Sequence, residues 1–342
     1  MPSLIRFVDR RKELEALRAL AERGSPSVFY LYGPEGCGKT RLMKEFIRVF
    51  DGAGLYIDSL EEDKLSEALL LSPKVRGALE AVSGLVKGYS GPLGAWLSTR
   101  IQSLLERISL KATLRGERVV IIVDDVSRAL GVERLESYIK WLYELLGRLS
   151  EYFEASSVTV IATTSEGYSL ERVLRHSYNI ASLLWNLNRK GYEELAYQLN
   201  PPRGDVVEES WMLTGGNPRR LIEIARLFNW NIREWLKALE SSLTGFASKV
   251  RYLGLAKEIM EIVDDPDIIY YEPSRRRYEA YRILLEDNLV MYTKTPTLAS
   301  WSSGHLESLK PDKDLGVGAY YSWQIPAYKA ILGKLLGHST PI

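Results

Sequence analysis

The sequence is short of several residue types, and each shortage excludes a class of protein. Its 342 residues include one cysteine and three histidines. One cysteine rules out an internal disulfide framework, and the histidines, scattered at positions 176, 305 and 338, lack the spacing of a zinc site. Apolar runs stay well short of the ~18 residues that suggest a membrane span. We therefore expect neither zinc or Cys/His chemistry nor a membrane anchor.

An excess of positive charge is also missing. Lys and Arg number 45, Asp and Glu 44, so the formal net charge is +1. Nucleic-acid binders usually carry a basic excess, so a DNA-binding role would need a local patch. The N-terminus is charged and has no apolar signal-peptide core. Together with the scarcity of cysteine, this predicts a cytoplasmic protein, and the abundance of Glu, Arg, Leu and Tyr favours a thermophile.

What the first half does contain is an alternation of strand and helix patterns, which predicts an α/β fold with a parallel sheet covered on both faces. The strand-type runs are residues 27–32, 53–58, 118–125, 157–166 and 177–185; helical patterns cover 7–23, 38–50, 134–153 and most of 59–114. From about residue 189 the pattern becomes helical, and near residue 245 it changes again. We predict an α/β core over residues 1–188, a helical lid over 189–244 and an α+β domain over 245–342.

The C-terminal part has a mixed pattern. A long helix is predicted at about 247–263, an arginine-rich helix at 274–286 and a last helix at 326–336. The stretch DPDIIYYEP, residues 265–273, reads as extended, and residues 315–323 contain a strand-like piece.

A phosphate-binding loop is the strongest local signal. The sequence GPEGCGKT fits G-x-x-x-x-G-K-[ST], follows a strand and opens a helix. The glycines let backbone N–H groups turn inward, and with the helix N-terminus they form an anion site. Lys39 would reach the β- and γ-phosphates, and the Thr40 hydroxyl would bind Mg²⁺. The expected nucleotide contacts are Gly33, Pro34, Glu35, Gly36, Cys37, Gly38, Lys39, Thr40 and Arg41. A small residue that fits the loop is the favoured interpretation of Cys37, and a redox role is the alternative.

Two adjacent acids end the buried strand VVIIVDD. Asp124 would hold the Mg²⁺ hydration shell. Asp125 would polarise the attacking water as a catalytic residue. Because Asp is shorter than the Glu usual for this task, hydrolysis is expected to be slow. The alternative is a solvent-facing acid in a turn.

Hydroxyl side chains end the next strand. Thr163, Thr164 or Ser165 would lie beside the strand that carries Asp124, where a hydroxyl can sense the γ-phosphate or align the water. Thr and Ser also end strands for purely local reasons.

A fourth motif is LTGGNPRR, residues 213–220. Its glycines break a helix, Asn217 caps the next helix and Pro218 takes that helix's first position. Arg219 and Arg220 then lie in the first turn, where the helix dipole disfavours cations. Nucleotide phosphates would explain them.

Together these motifs resemble the archaeal P-loop ATPases that lie between the AAA+ proteins and the STAND signalling ATPases. The resemblance begins at Phe7 and continues to about residue 243. In that family an F-x-G-R-x-x-E-L segment lies near the adenine. Arg10, Glu13 and Leu14 keep that pattern here, whereas Asp9 replaces the glycine.

The resemblance implies roles for the other motifs. The Walker A motif falls on Gly33–Thr40, the metal acid on Asp124 and the catalytic glutamate on Asp125. The sensor-1 polar residue falls on Thr164 or Ser165. ATP rather than GTP is implied, with ADP and Mg²⁺ as the other ligands, and the sequence has no guanine-reading Asn/Thr-Lys-x-Asp stretch.

The family's G-G-x-P lid motif falls on Gly215–Pro218. In the family this proline lies against the base or ribose, and the following arginine resembles a sensor-2 residue. Arg219 is favoured for that role and Arg220 is kept open. Arg172 and Arg175 are candidates for an arginine finger.

The resemblance also implies the overall fold: an α/β P-loop NTPase sheet core of AAA+/STAND type, a helical lid and a C-terminal winged-helix-like α+β domain. Arg275, Arg276, Arg277 and Arg282 would then lie on a recognition helix for duplex DNA. The competing interpretation pairs Arg275 with Glu279 and Arg282 with Glu286 at i,i+4 spacing. Trp301 would anchor a protein partner or cover its own domain.

The leading hypothesis is an ATP-dependent switch that hydrolyses ATP slowly and acts on a protein partner through its C-terminal domain. The second is a DNA-associated ATPase that resembles replication initiators or transposon helpers. A small-molecule phosphotransferase is disfavoured because we find no acceptor site.

Overall fold

The computed structural model describes five long stretches of the chain and a few residues between them. The stretches are 5–58, 69–74, 115–125, 155–164 and 179–337, with 140, 142–144, 146–147, 170 and 173–175 in addition. Ser165, Arg172 and most of the helical region predicted between 59 and 114 lie outside the described residues. Within the described part, none of the helices is both long and apolar enough to cross a membrane.

A six-stranded sheet forms the centre of the N-terminal half. Its strands are β1 (Val28–Tyr32), β2 (Ala53–Asp58), β3 (Leu69–Leu71), β4 (Arg118–Asp124), β5 (Ser157–Thr164) and β6 (Asn179–Leu183). The order across the sheet is β3-β2-β4-β5-β1-β6, and every pair is parallel except β2 with β3. The five parallel strands confirm the predicted α/β P-loop fold. The antiparallel β3 was not predicted, since three leucines are too short a run to carry a periodic signal.

Burial on both faces explains why these strands read as continuous apolar runs. Strands β1 and β5 are buried along their whole length. Helices α1 (Arg11–Arg23) and α2 (Lys39–Val49) pack on the sheet through a cluster that includes Leu17 and Phe46. The phosphate loop runs from the end of β1 to the start of α2, the context that the motif requires.

The second half is mainly helical. Its helices are α3 (Arg189–Gln198), α4 (Gly204–Thr214), α5 (Pro218–Arg226), α6 (Ile232–Tyr252), α7 (Ala256–Asp264), α8 (Ile268–Tyr271), α9 (Arg275–Glu286) and α10 (Pro326–Leu336). Strands β7 (Val290–Tyr292) and β8 (Tyr321–Trp323) form an antiparallel pair, and residues 298–302 form a 3₁₀-helix.

Two predictions of local structure were wrong. Helix α6 is one 21-residue helix where two were expected, so residues 244 and 245 lie inside it, and the helix predicted at about 247–263 is divided between α6 and α7. Leu243, Phe246 and Val250 continue its buried stripe past Gly245, and a single glycine costs a helix only about 1 kcal/mol. The stretch 265–273 contains the short helix α8 instead of being extended.

The predicted lid and the C-terminal elements share one hydrophobic core. A single cluster of buried side chains includes Trp235 on α6, Ile259 on α7, Leu284 on α9 and Leu332 on α10. The cluster also contains Tyr192 and Leu221 from α3 and α5. We call α3–α10 with β7 and β8 the C-terminal body, because packing makes them one unit.

The chain between β7 and β8 crosses back to the α/β core; we call residues 293–310 the returning segment. The Leu183 backbone N–H at the β6 edge donates to the carbonyl of Pro296 at 2.9 Å. Trp301 packs edge-on against Phe29, with ring centroids 5.4 Å apart, and donates to Ser182 at 3.2 Å. Trp301 therefore covers the α/β core, not its own domain.

We expect Trp301→Ala to lower the free energy of unfolding by about 2 kcal/mol, less than for a fully buried tryptophan because the side chain is only partly buried. Urea denaturation would measure the change. Trp301→Phe keeps the ring contact and should lose under about 1 kcal/mol. Leu306→Ala, at an exposed position of the same segment, is the neutral control. An unfolding curve for Trp301→Ala that matches wild type would mean that the segment is not stably docked.

Candidate functional site

A cavity of about 470 Å³ lies between the phosphate loop, the ends of β4 and β5, the chain before α1, and the first turn of α5. It brings together most of the predicted site: Arg10, Glu35, Gly36, Cys37, Gly38, Lys39, Thr40, Arg41, Asp124, Asp125, Pro218 and Arg219. Apolar side chains such as Phe7, Val8 and Leu195 line its other side. A cavity with charged residues on one side and apolar residues on the other suits a nucleotide, because the phosphates are charged and the base is largely apolar.

The backbone of the phosphate loop is approached so closely that side chains are excluded at two positions. A Cβ on Gly33 would lie 2.0 Å from the carbonyl oxygen of Leu184, and one on Gly36 would lie 2.5 Å from the Cβ of Arg219. Gly36 and Gly38 also have φ of 82° and 103°, which favour glycine. The close contacts explain Gly33 and Gly36, and the positive φ explains Gly38, the second glycine that the motif specifies.

Lys39 is buried in this loop. Its ammonium donates to the carbonyls of Gly33 at 2.8 Å and Pro34 at 3.1 Å, so these two residues hold the lysine side chain in place. Gly33 and Pro34, which were predicted to contact the nucleotide, are not among the residues that line the cavity. The Cys37 side chain is buried, and its backbone carbonyl accepts from Arg10 at 3.0 Å. That placement supports the interpretation of Cys37 as a small residue that fits the loop.

Asp124 is held by two hydroxyl groups from neighbouring strands. Its carboxylate accepts from Tyr56 on β2 at 2.6 Å and from Thr163 on β5. Burial raises the pKa of Tyr56 far above its usual value, and the charge of Asp124 raises it further, so the phenol remains a donor. The carboxylate is thereby fixed in orientation.

The residues present fit Mg²⁺. The Thr40 hydroxyl and the Asp124 carboxylate line the same cavity, and Mg²⁺ commonly takes one or two protein oxygens together with phosphates and water. No cluster of three or more His, Cys, Asp or Glu that would hold a metal occurs in the described residues. This donor set suits a cation that arrives with a nucleotide.

Asp125 has a left-handed backbone, with φ of 54°. Asp and Asn adopt this conformation several-fold more readily than other non-glycine residues. Its backbone N–H donates to Thr163 Oγ1 at 2.9 Å, and the residue lines the cavity. The backbone therefore favours Asp over Glu at this position.

The hydroxyl that the structure brings to the site is Thr163. Thr164 is buried opposite Tyr32 in the sheet and is not among the described lining residues, and Ser165 lies outside the described part. Successive residues of a strand face opposite sides, so Thr163 and Thr164 cannot both face Asp124. Sequence reasoning missed Tyr56, whose contact with Asp124 depends on the pairing of β2 with β4.

The two arginines of the lid motif point in different directions. Arg219 lines the cavity and donates to Glu35 Oε1 at 2.7 Å. Arg220 pairs with Glu223 at 2.7 Å and donates to the Tyr328 hydroxyl of α10 at 2.9 Å. Of the two, Arg219 is therefore placed to meet a phosphate.

Two further predictions concern the cap of α5 and the candidate arginine fingers. The Asn217 side chain accepts from the Arg220 N–H, which confirms the predicted cap of α5, with Pro218 at its first position. Arg175 is exposed and is not among the residues that line the cavity, and Arg172 lies beyond the described residues.

Arg10 ties the chain before α1 to the phosphate loop. Its buried guanidinium donates to the carbonyls of Trp185 at 2.6 Å and Cys37 at 3.0 Å and pairs with Glu13 at 2.9 Å. Asp9, which replaces the glycine of the resembled pattern, has φ of 56°. Aspartate tolerates that conformation, so the departure from glycine keeps the backbone geometry.

Most arginines of the predicted recognition helix α9 have carboxylate partners. The pairs are Arg276 with Glu258, Arg277 with Glu261 and Glu272, and Arg282 with Glu286. The predicted pair Arg282–Glu286 is confirmed at 3.2 Å. Arg275 and Glu279 form no ion pair with each other among the described residues. This surface is therefore largely neutralised.

We expect Thr163→Val to weaken Mg²⁺-dependent ATP binding about tenfold, because Asp124 loses one of the donors that orient it. Titration calorimetry with and without Mg²⁺ would measure this. Thr164→Val is the matched control, one residue along the same strand, and should bind like wild type. Equal losses in both variants would contradict the placement of Thr163.

The comparisons with known proteins agree with this geometry. The chain is 24% identical over 310 residues to an uncharacterised ATP-binding protein of Pyrococcus abyssi, covering 83% of this chain and 89% of that one. A second uncharacterised ATP-binding protein of Pyrococcus abyssi is 23% identical over 287 residues, with coverages of 78% and 86%.

Among solved structures, the Aeropyrum pernix ORC2 protein in ADPNP–ADP complexes matches at TM-score 0.44 and 14% identity, covering 99% of this chain and 98% of that one. The replication initiator DnaA bound to AMPPCP and single-stranded DNA matches at TM-score 0.37 and 15% identity, with coverages of 79% and 73%.

A family match covers the loop, the acids and the start of the lid in one alignment. The family is described as an ATPase domain predominantly from Archaea, and the match extends over residues 7–224. This range contains every residue that lines the cavity except Ile5 and Arg6. The chain belongs to this archaeal ATPase family.

Proposed function

We propose that the protein is a nucleotide-dependent switch that hydrolyses ATP slowly, and that its C-terminal body moves as one unit against the ATPase core. The observation that carries the proposal is the shared hydrophobic core of α3–α10, which makes the lid and the C-terminal elements one body. The same body contributes Pro218 and Arg219 to the nucleotide cavity.

Nucleotide binding would use the loop and the strand ends. Backbone N–H groups of the loop and of the α2 N-terminus would hold the phosphates. Lys39 would neutralise their charge, and Thr40 and Asp124 would hold the Mg²⁺ that accompanies ATP. The apolar side of the cavity would take the base, with Pro218 against the base or ribose.

Hydrolysis would depend on Asp125 as the residue that polarises water. The Thr163 hydroxyl accepts a hydrogen bond from the backbone N–H of Asp125. Arg219, which lines the cavity, would meet the γ-phosphate. A carboxylate one methylene shorter than that of Glu is placed further from the water, which supports a slow rate. Mg²⁺, when bound with ATP, would neutralise charge that develops on the phosphates.

The C-terminal elements support a winged-helix-like arrangement. Three helices, α7, α8 and α9, precede the antiparallel pair β7–β8, and α10 closes the unit. Because α10 packs on both α6 and α7, a displacement at the start of α5 would reach the C-terminal surface through packed side chains. A protein partner that contacts this surface would read the nucleotide state.

The switch predicts nucleotide-dependent protease sensitivity. Wild type should give different digestion patterns with ATP and with ADP, because the C-terminal body changes position. Lys39→Ala should lose nucleotide binding and give one pattern throughout. Asp125→Asn keeps the left-handed backbone and removes the carboxylate, so it should bind ATP, hydrolyse it about 100-fold more slowly and retain the ATP pattern.

ATP hydrolysis, nucleotide affinity and protease digestion should all be measured on the same samples. Wild type that binds ATP and ADP but gives identical digestion patterns would contradict the switch. Wild type that binds neither nucleotide would contradict the proposed ATP site itself.

A DNA-associated ATPase is the second candidate, supported by one exposed face of α9. Arg275, Tyr278 and Arg282 follow at helical spacing on that face, and Tyr278 is 60% exposed. Arginine and aromatic side chains together suit contacts to phosphates and bases. The carboxylate partner of Arg282 weakens this support.

If α9 binds duplex DNA, Arg275→Ala together with Arg282→Ala should weaken binding and lower the slope of log K against log salt by about two. Fluorescence anisotropy at several salt concentrations would measure both. Arg233→Ala, an exposed arginine on α6, is the control. Undetectable binding by wild type at low salt would exclude this candidate.

A further inference from the structure

We propose that Glu35 is a positioning residue that couples the phosphate loop to the C-terminal body and lowers the preference for ATP over ADP; this rests on the proposed switch. Glu35 is the third residue of the loop and lines the nucleotide cavity. Its backbone N–H, its carbonyl and its carboxylate are each bound by a residue of the C-terminal body. The motif leaves this position unspecified.

The main chain of Glu35 is held by two amides. Its N–H donates to Gln324 Oε1 at 2.9 Å, and its carbonyl accepts from Asn217 Nδ2 at 2.9 Å. Gln324 lies between β8 and α10, 289 residues further along the chain. A direct hydrogen bond therefore joins the phosphate loop to the C-terminal elements.

These amides belong to a buried network. Asn186 donates to the Gln324 carbonyl at 3.0 Å and accepts from Asn217 at 3.0 Å, and the Gln324 side chain donates to Asn288 at 3.0 Å. Gln324, Asn217 and Asn186 are each at most 5% exposed. Buried amides that satisfy one another hold a fixed geometry, so the loop backbone and the body are held together firmly.

The carboxylate contact is of a different kind. Glu35 Oε1 and Arg219 Nη1 lie 2.7 Å apart, with the two side chains 41% and 57% exposed. Exposed ion pairs are weak, so a stronger anion can displace Glu35 from the arginine. The buried amides hold the backbone, and the exposed pair is free to exchange.

A nucleoside triphosphate supplies such an anion. Both Glu35 and Arg219 line the cavity that receives the phosphates, so phosphate oxygens and the carboxylate compete for one guanidinium. ADP has one phosphate fewer and competes less. Glu35 would thus hold Arg219 until a triphosphate takes it, and the buried network would carry the resulting shift of the loop to α10.

The first test measures affinities for ADP and a non-hydrolysable ATP analogue by titration calorimetry. Glu35→Gln should raise analogue affinity about fivefold and ADP affinity less than about twofold, because the competing charge is gone. In an Arg219→Gln background the same change should have a smaller effect on analogue affinity. Glu45→Gln, which removes the carboxylate of an ion pair on α2, is the matched control.

Equal changes for the two nucleotides, or a Glu35→Gln effect independent of Arg219, would overturn the proposed competition. A carboxylate that merely supported the loop would give that result.

The second test uses Gln324→Leu, which removes the amide at nearly the same size. We expect ATP binding to be retained within about threefold, while the difference between the ATP and ADP digestion patterns is lost. Thermal melting would verify folding, and Glu35→Gln would stand alone if this variant unfolds. A folded Gln324→Leu protein with the wild-type digestion difference would refute the coupling.

Failure of this inference is distinguishable from failure of the switch. Wild type without any nucleotide-dependent digestion difference would contradict the switch and the inference together. A wild-type digestion difference that survives unchanged in the folded Gln324→Leu variant would contradict the inference alone.

Discussion

The close approach of the backbone at the phosphate loop is the constraint on which the rest of the structure depends. At Gly33 the loop touches the backbone after β6, and at Gly36 it touches the first turn of α5. No side chain of the loop separates it from these two segments, so the loop and each segment are in direct van der Waals contact. A displacement of one must therefore displace the other. A loop that changes shape around phosphates must therefore move against Arg219 and the helix that carries it.

A second contact, between the returning segment and the edge of the sheet, limits how the C-terminal body can move. The returning segment follows the edge of the sheet, where Leu183 and Thr297 form a parallel bridge, and Tyr32 and Thr295 are joined through their hydroxyls. This contact covers a strand edge that would otherwise be exposed to pairing with another chain. Held at the loop and at the β6 edge, the C-terminal body has less freedom than a domain on a linker, so the movement that we propose would be a rotation about these two contacts.

Local patterns predicted the parts of the fold that depend on local physics. Apolar runs located the five parallel strands, and the phosphate loop was identified from its motif, in which glycine is required by the close approach of Leu184 at Gly33 and by the positive φ of Gly38. Helix α8 and strand β3 are too short to carry a periodic signal. The partnership of Thr163 and Tyr56 with Asp124 depends on strand register, and the contact of Gln324 with Glu35 joins residues far apart in sequence. Trp301 was predicted to anchor a protein partner or to cover its own domain, because the sequence does not show which surface a long connection packs against.

The backbone at Asp125 connects the slow hydrolysis that we expect with the proposed role. A longer carboxylate would reach the water better, but a left-handed residue directly after a buried strand favours Asp or Asn over Glu. The shorter side chain is thus matched to the conformation of its own backbone, which Thr163 stabilises through the N–H of Asp125. In Asp125→Glu the carboxylate would reach further, but the left-handed backbone would be more strained. A site built in this way would favour long residence in the ATP-bound state, which the proposed switch needs and a motor does not.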